Sequence, residues 1–147
     1  MKKICAILIS VILILTVATA CSASFKTETK FLEGQSVTIT MNSKDGYSFD
    51  TDGADIDFVQ HKDVIANGTF YKQSYLTQNK IAIEAGYDNV EEGTKDSYAY
   101  TIYQCKSNEA SPQYTIVFTY GKSSHLIVKT DKNIDTIKEI ISCLTIE

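Results

Sequence analysis

The chain has no arginine and no tryptophan, and only one proline and seven glycines among its 147 residues. Its fourteen positive charges are therefore all lysines, and eighteen carboxylates give a net charge of −4. Arginine is the residue that clamps phosphates with two parallel hydrogen bonds, and nucleic-acid-binding domains carry a basic patch. The composition therefore argues against a nucleic-acid partner. So little proline and glycine also excludes a collagen-like or low-complexity chain.

Recognisable catalytic and metal-binding motifs are missing as well. The sequence contains no Gly-x-Ser-x-Gly, no His-Glu-x-x-His and no glycine-rich phosphate loop. Carboxylates surround Gly53 in the segment Asp50–Asp57, but Ala54 stands where a calcium loop of the EF-hand type needs an oxygen ligand. We therefore predict a turn between two strands there, and no metal, cofactor or catalytic residue in the chain. The two histidines, His61 and His125, are predicted to be surface or strand-edge residues without chemistry.

The start of the chain does contain an ordered set of features, those of a secretory signal. A short positive segment precedes an almost wholly aliphatic run, Ile4–Leu15, and the small residues Ala18–Ala20 then lead to Cys21. A cysteine in this place resembles the lipobox of bacterial lipoproteins. The resemblance implies cleavage before Cys21, attachment of diacylglycerol to its thiol, and acylation of the new amino terminus, for example with palmitate.

Two other interpretations of the same segment stay open. Residues 4–20 are near the lower limit of length for a membrane-spanning helix, so the segment could remain as an uncleaved anchor. It could also be an ordinary secretory signal in which Cys21 has no role. All three interpretations place the folded part of the chain outside the cytoplasm, and the lipoprotein interpretation places it, lipid-anchored, on the extracytoplasmic face of the bacterial cell membrane.

The rest of the chain is predicted to form one domain. We assign residues 1–20 to the signal peptide, 21–30 to a flexible tether rich in Ser, Thr and Lys, and 31–147 to a single domain. Removal of the signal takes away two lysines and no carboxylate, which leaves a net charge of −6. The predicted partners are the membrane, through the lipid anchor, and an envelope protein or glycan.

The cysteines leave one pair for a disulfide. Cys5 is removed with the signal and Cys21 is used by the lipid, so Cys105 and Cys143 remain. An even number of cysteines in an exported protein makes a bridge between them a legitimate hypothesis. The alternative is that both are buried thiols that pack as small apolar side chains.

The hydrophobic pattern predicts mostly strands. Alternation of polar and apolar residues indicates strands in the segments 36–41, 47–49, 55–59, 98–105, 114–120 and 125–130. Neither the helical nor the strand period fits residues 69–85, for which we predict a helix over about 70–80. The acidic segment 87–95 is predicted to be an exposed loop, and Asn67-Gly68 a break between elements.

These elements predict the α+β class, with a single antiparallel sheet and helices packed on one of its faces. The C-terminal helix is amphipathic, with Asn133 as its N-cap. Its apolar stripe has five members: Ile134, Ile137, Ile140, Ile141 and Leu144. Together with the ending Asp135–Ser142, the order of elements over residues 46–146 resembles that of the PsbP-like and DcrB-like small lipoproteins. The resemblance implies a sandwich of sheet and helices, and it carries over no catalytic residue.

Three tyrosines are the predicted ligand-facing residues. Most aromatic side chains alternate along strands and are predicted to be core, but Tyr71, Tyr75 and Tyr87 lie near the ambiguous segment, where exposure is expected. Two functions fit the sequence: a membrane-tethered binding or accessory module of the envelope, or a small extracytoplasmic hydrolase that acts on envelope or nutrient polymers. A cleft with two carboxylates about 5–9.5 Å apart would favour the hydrolase. A patch lined by tyrosines would favour the binding module.

Overall fold

The structure, a computed structural model, describes residues 24–32, 35–107, 111–121 and 124–147. The predicted signal peptide and Cys21 lie outside these ranges. The strands of the described part are β1 (Phe25–Leu32), β2 (Gln35–Asn42), β3 (Tyr47–Asp52), β4 (Asp55–Gln60), β5 (Asp63–Lys72), β6 (Tyr87–Lys95), β7 (Tyr98–Cys105), β8 (Tyr114–Tyr120), β9 (Ser124–Thr130) and β10 (Leu144–Ile146). The helices are α1 (Gln73–Gly86) and α2 (Ile134–Cys143). Neither of these described helices has the length and apolar character needed to cross a membrane.

Seven of the strands form one antiparallel sheet in the order β3-β4-β5-β9-β8-β7-β6. Gly53 and Ala54 form the turn between β3 and β4, and His61 and Lys62 form the turn between β4 and β5. Gly53, His61 and Lys62 have positive φ angles of 56°, 50° and 79°, the left-handed backbone that two-residue hairpins use. The carboxylate-rich segment Asp50–Asp57 is thus a hairpin, as predicted.

The other three strands form a smaller antiparallel sheet in the order β1-β2-β10. Its strand β1 also contacts β3, the edge strand of the larger sheet, through lysine side chains. Lys30 Nζ donates a 2.8 Å hydrogen bond to the carbonyl of Gly53, and Lys26 Nζ donates to the carbonyl of Phe49. These lysines therefore supply hydrogen-bond donors to backbone carbonyls along the open edge of the larger sheet.

The main hydrophobic core lies between the two sheets. Side-chain alternation directs every second residue of the larger sheet towards β2, β10 and α2, and we call this side its inner face. Phe49, Phe58 and Phe118 are fully buried there. Tyr98 and Phe118 meet edge to face, with ring centroids 5.4 Å apart, which is a preferred geometry for aromatic pairs.

Helix α2 packs on the inner face beside β10. The Asn133 side chain accepts a 2.9 Å hydrogen bond from the Thr136 amide, so the predicted N-cap is confirmed. The sheet-facing residues of the helix are buried: Ile137, Ile140 and Ile141. Leu144, predicted as the last member of the same stripe, is fully buried as the first residue of β10.

Helix α1 lies on the opposite side of the larger sheet, which we call the outer face. It begins where β5 ends, beside Ser124, and ends where β6 begins, beside Cys105, so it crosses β9, β8 and β7 diagonally. A helix of fourteen residues is about 21 Å long. The strands that it connects, β5 and β6, are four spacings apart in the sheet, which is about 19 Å measured across the strands. The helix was predicted over about 70–80, and it extends instead over Gln73–Gly86.

The predicted fold class is wrong. The described chain is mostly strand and forms two packed sheets rather than one, with α1 and α2 on opposite faces of the larger sheet. The second sheet was missed because β10 has only three residues, and its apolar residues Leu144 and Ile146 continue the stripe of α2. A sequence pattern cannot distinguish such a short strand from the end of a helix.

Strand β1 begins inside the segment 21–30 that was predicted as a tether. Its residues pair with those of β2 from Phe25 to Leu32. The strand is hard to recognise because the side chains that it turns inward are charged. Lys26 lies 5.0 Å from the centre of the Phe49 ring, and Glu28 accepts a hydrogen bond from Thr51.

Two glycines have roles other than the predicted ones. The acidic segment 87–95, predicted as a loop, is the edge strand β6, and any Cβ at its Gly93 would collide with the ring of Tyr100. Gly68, predicted to break the chain, lies inside β5, where side chains of β4 and β9 leave no room for a Cβ. Close packing, rather than chain reversal, requires glycine at both positions.

The predicted disulfide between Cys105 and Cys143 is absent, and both are free thiols. Cys105 alternates with the inner-face residues of β7 and so lies on the outer side, whereas Cys143 packs with the inner core. The end of α2 is held by Tyr98, whose hydroxyl lies 3.0 Å from the carbonyl oxygens of Ile141 and Leu144. Tyr98 and Cys105 are at opposite ends of β7, about 23 Å apart. A bridge needs Cα atoms within about 7 Å.

Candidate functional site: a cleft beside helix α1

A cleft of about 190 Å³ opens between helix α1 and the outer face of the larger sheet. It is lined by residues of α1, β5, β6, β8 and β9: Tyr71, Asn79, Ala82, Ile83, Tyr87, Thr115, Ile127 and Lys129. We call it the outer cleft. Ile83, Thr115 and Ile127 are buried, whereas Lys129 is exposed. The cleft therefore has an interior of mixed polar and apolar character and a charged residue at its exposed side.

Among the described side chains of α1, Ile83 and Leu76 pack on the outer cluster of the sheet, which leaves room for the outer cleft beside them. Ile83 is the buried helix residue of a small cluster with Tyr103, Val117 and Ile127. Ala82, which also lines the cleft, presents only a methyl group. The helix is thus held along one line of contact, and space remains beside it.

Two of the three predicted ligand-facing tyrosines line the outer cleft. Tyr71 is near the end of β5, directly opposite His125 on β9, and Tyr87 is the first residue of β6. Both rings are half-buried. The Tyr87 hydroxyl donates a 2.9 Å hydrogen bond to the carbonyl of Pro112, which fixes the orientation of its ring. The third tyrosine, Tyr75, belongs to α1, and its side chain is not among those that the structure describes.

Lys129 is the charged residue of the outer cleft. It is paired across the strands with Asn67 on one side and Thr115 on the other. Among the residues that the structure describes, it has no ion-pair partner. It also lines a second, open hollow of about 450 Å³ that includes Val64 and Pro112. The Lys129 ammonium can therefore pair with a carboxylate or phosphate group of a ligand bound in the outer cleft or in this second hollow.

Carboxylate pairs are present on the outer face, but outside the cleft. Asp50 is directly opposite Asp57, and Asp52 is opposite Asp55. Asp57 accepts a 2.7 Å hydrogen bond from the Asn67 amide. No carboxylate lies among the described residues that line the outer cleft. Within the described ranges no three His, Cys, Asp or Glu side chains converge as a metal site.

A buried histidine lies next to the cleft floor. His125 is 4% exposed, and its Nδ1 is 3.1 Å from the hydroxyl of Thr119. Its Nε2 has no hydrogen-bond partner in the described part of the chain. Burial lowers the pKa of His125, because loss of water disfavours the charged imidazolium. The prediction of a surface position is wrong for this residue, whereas His61 is exposed in the β4–β5 turn.

Sequence reasoning missed three polar residues of the outer cleft: Asn79, Thr115 and Lys129. They lie on α1, β8 and β9, and only the folded sheet brings them together. One signal was available for Lys129. Alternate side chains of β9 lie on the same face, so His125, Ile127 and Lys129 form one row. Lys129 is the charged residue at the end of this row, after two residues that are buried.

The chain was compared with models of protein families, with curated proteins and with solved structures, and none of the three comparisons finds a match.

Proposed function

We propose that the protein is a lipid-anchored, extracytoplasmic binding module of the bacterial cell envelope, and that the outer cleft binds its ligand. The lipobox-like segment that ends at Cys21 supports the anchor. One observation carries the binding role: two tyrosines, Tyr71 and Tyr87, and the exposed Lys129 line the same cleft. Aromatic rings supply apolar contact area and hydroxyls, and the ammonium supplies a charge.

The size and chemistry of the outer cleft favour a small anionic sugar unit as the ligand. A volume of about 190 Å³ is below the ~300–1,000 Å³ of pockets that enclose drug-sized ligands. It fits one ring of a larger molecule. The rest of that molecule would extend into the hollow beside Pro112. The Asn79 amide and Thr115 hydroxyl can exchange hydrogen bonds with sugar hydroxyls, and Lys129 can pair with a carboxylate.

The same lining argues against the hydrolase. Glycoside hydrolysis in most enzymes uses two carboxyl groups that flank the bond to be cleaved. The carboxylate pairs of this protein lie on β3 and β4, and Asp57 is hydrogen-bonded to Asn67. The described lining of the outer cleft instead offers donors and rings, which bind a ligand without a reaction.

A direct test uses a soluble peptidoglycan fragment, a disaccharide of N-acetylglucosamine and N-acetylmuramic acid, as the probe. We expect titration to shift the NMR signals of Asn79 and Thr115. Replacement of Lys129 by glutamine should weaken binding about 10-fold or more, because a hydrogen bond to a charged group contributes about 1.5–3 kcal/mol.

Lys62→Gln is the matched control, since Lys62 is an exposed lysine in the β4–β5 turn that does not line the outer cleft. It should bind the disaccharide as the wild type does. Signals that shift elsewhere in the domain, or equal affinities for the two glutamine variants, would contradict the assignment of the cleft. A disaccharide of N-acetylglucosamine alone, which lacks the carboxylate, tests the role of the charge.

A further inference from the structure

One end of the domain gathers the first described residue and two turns. The carbonyl of Ser24 accepts a 2.7 Å hydrogen bond from the amide of Ser43, which directly precedes the turn at Lys44–Gly46. The Gly46 carbonyl in turn accepts a 3.2 Å hydrogen bond from the amide of His61, in the β4–β5 turn. We call the continuous surface of residues 24–25, 43–46 and 61–63 the anchor end.

Phe25 is the large apolar side chain of the anchor end, and it is 60% exposed. The charged side chains around it balance, because Lys44 and Lys62 are matched by Asp45 and Asp63. The rest of the mature chain is strongly acidic, so this end is unusual in having no excess of negative charge. An exposed ring among balanced charges suits the boundary between lipid and water.

The length of chain before Ser24 limits where this end can be. Three peptide links separate Cys21 from Ser24, so their Cα atoms are at most about 11 Å apart. A lipidated cysteine is held at the level of the headgroups, in a polar layer that is about 5–8 Å deep on each side of a bilayer. The Cα of Phe25, one residue further along, lies at most about 14 Å from that of Cys21. Its ring therefore reaches this layer when the connection runs along the membrane rather than straight away from it.

We propose that the anchor end is a membrane-contact surface, with the Phe25 ring inserted into the interfacial layer of the bilayer. This inference rests on the proposed lipidation of Cys21. The lipid holds the protein on the membrane, and Phe25 and the two turns fix its orientation.

The opposite end of the same strands supports this orientation. Strand β3 rises six residues, about 20 Å, from the anchor end to the turn at which Asp52 faces Asp55. These carboxylates are thereby kept away from anionic headgroups, which would repel them. The outer cleft lies on a face of the sheet rather than at a strand end. In this orientation the opening of the outer cleft faces sideways, along the plane of the membrane, and ligands reach it from the aqueous layer.

The absence of tryptophan from the chain makes a clean test feasible. Phe25→Trp places one tryptophan at the anchor end, and Ala54→Trp, in the exposed β3–β4 turn, is the matched control at the far end. The full-length lipidated proteins are reconstituted in vesicles of phosphatidylethanolamine and phosphatidylglycerol. Fluorescence is then quenched either by iodide in the water or by lipids with brominated acyl chains.

We expect Phe25→Trp to emit at shorter wavelength than Ala54→Trp, to be quenched by brominated lipid, and to be several-fold less sensitive to iodide. Lys44→Trp, which does not alter β1, should also be less sensitive to iodide than Ala54→Trp. Equal iodide quenching at both ends, in protein that floats with the vesicles, would overturn the orientation and leave the anchor standing. A wild type that does not float, or that carries no lipid on Cys21 by mass spectrometry, would overturn the anchor itself.

Discussion

In the part of the chain that the structure describes, twenty-two buried residues from both sheets and from α2 pack together on the inner face of the larger sheet, whereas the buried cluster on its outer face has four members. The inner face is covered by a second sheet and a helix, and the described cover of the outer face is α1. We expect the strongly covered face to supply most of the stability, whereas the weakly covered face leaves room for the outer cleft. Stability and the proposed binding should therefore respond to different substitutions.

The largest expected effect comes from one isoleucine on each face. Ile137 of α2 is 1% exposed on the inner face, and Ile83 of α1 is 8% exposed on the outer face. We expect Ile137→Ala to lower the free energy of unfolding by about 3 kcal/mol, because it leaves a cavity in a closed core. Ile83→Ala should cost about 1–2 kcal/mol, since its neighbours already border an open cleft. Urea denaturation measures both.

Lys138→Ala is the control for Ile137→Ala, because the Lys138 side chain is exposed on the same helix and pairs with Glu91 at the surface. Its denaturation midpoint should match that of the wild type. Equal midpoints for the two isoleucine variants would show that the two faces do not differ as described. Equal midpoints for Ile137→Ala and Lys138→Ala would show that α2 is not docked.

A smaller effect is expected from a lysine that closes the end of α2. Lys95 Nζ donates hydrogen bonds of 2.8, 2.6 and 2.8 Å to the carbonyls of Ile141, Ser142 and Leu144. The last carbonyls of a helix have no partner within it, so these bonds replace lost water contacts. Lys95→Met keeps most of the apolar stem and should destabilise the protein by about 1–2 kcal/mol.

Lys80→Met is the comparison for Lys95→Met. Lys80 is an exposed lysine of α1 that meets Glu84 at 3.7 Å, and an exposed pair of this kind contributes little. Thermal unfolding of the two variants should differ by several degrees. If both melt together with the wild type, the lysine cap does not stabilise the inner side.

The smallest expected effect is a pH dependence on the outer side. Burial holds the pKa of His125 below its ordinary value of 6.5. Above pH 6.5 the imidazole is therefore mostly neutral in both the folded and the unfolded chain. As the pH falls through about 6.5 the unfolded chain takes up the proton more readily than the folded one, and stability is lost. His125→Phe should flatten the slope of unfolding free energy between pH 7.5 and pH 5.5.

His61→Phe serves as the reference for His125→Phe, because His61 is exposed in a turn. The slope of that variant is the one with which the slope of His125→Phe is compared. The experiment contradicts the burial of His125 if both histidine variants show one slope. It also reports on α1, since loosening of the helix at low pH would open the outer cleft.

The strands β7, β8 and β9 and the helix α2 were predicted because each has a period that is visible over its own length. Strand β5 was not predicted, because Asn67-Gly68 suggested a break inside it. Asn133 and Ile137 could be recognised without any partner. The smaller sheet could not, because β1 turns Lys26 and Glu28 inward and is stabilised by contacts with β3. The period of a strand is recognisable only where the face that it buries is apolar.

The outer cleft was predictable in part for a related reason. Tyr71 and Tyr87 were singled out because they flank a segment without a clear period, and such segments often lie at the surface. Lys129 and Asn79 meet them only after α1 has crossed three strands. The order β5-β9-β8-β7-β6 is set by long-range pairing, for which one sequence contains no signal.

The lysines of β1 have a consequence for crowding in the plane of a membrane. Under the proposed lipid anchor, copies of the protein would share one orientation, and their sheet edges would lie at the same height, where open edges promote aggregation. Along β3 and the turn that follows it, Lys26 and Lys30 occupy backbone carbonyls of that edge. On β6, at the other edge, the bulge at Val90 and the acidic Glu91 and Glu92 disrupt the regular backbone array. These features would oppose edge-to-edge pairing between neighbouring copies at high surface density.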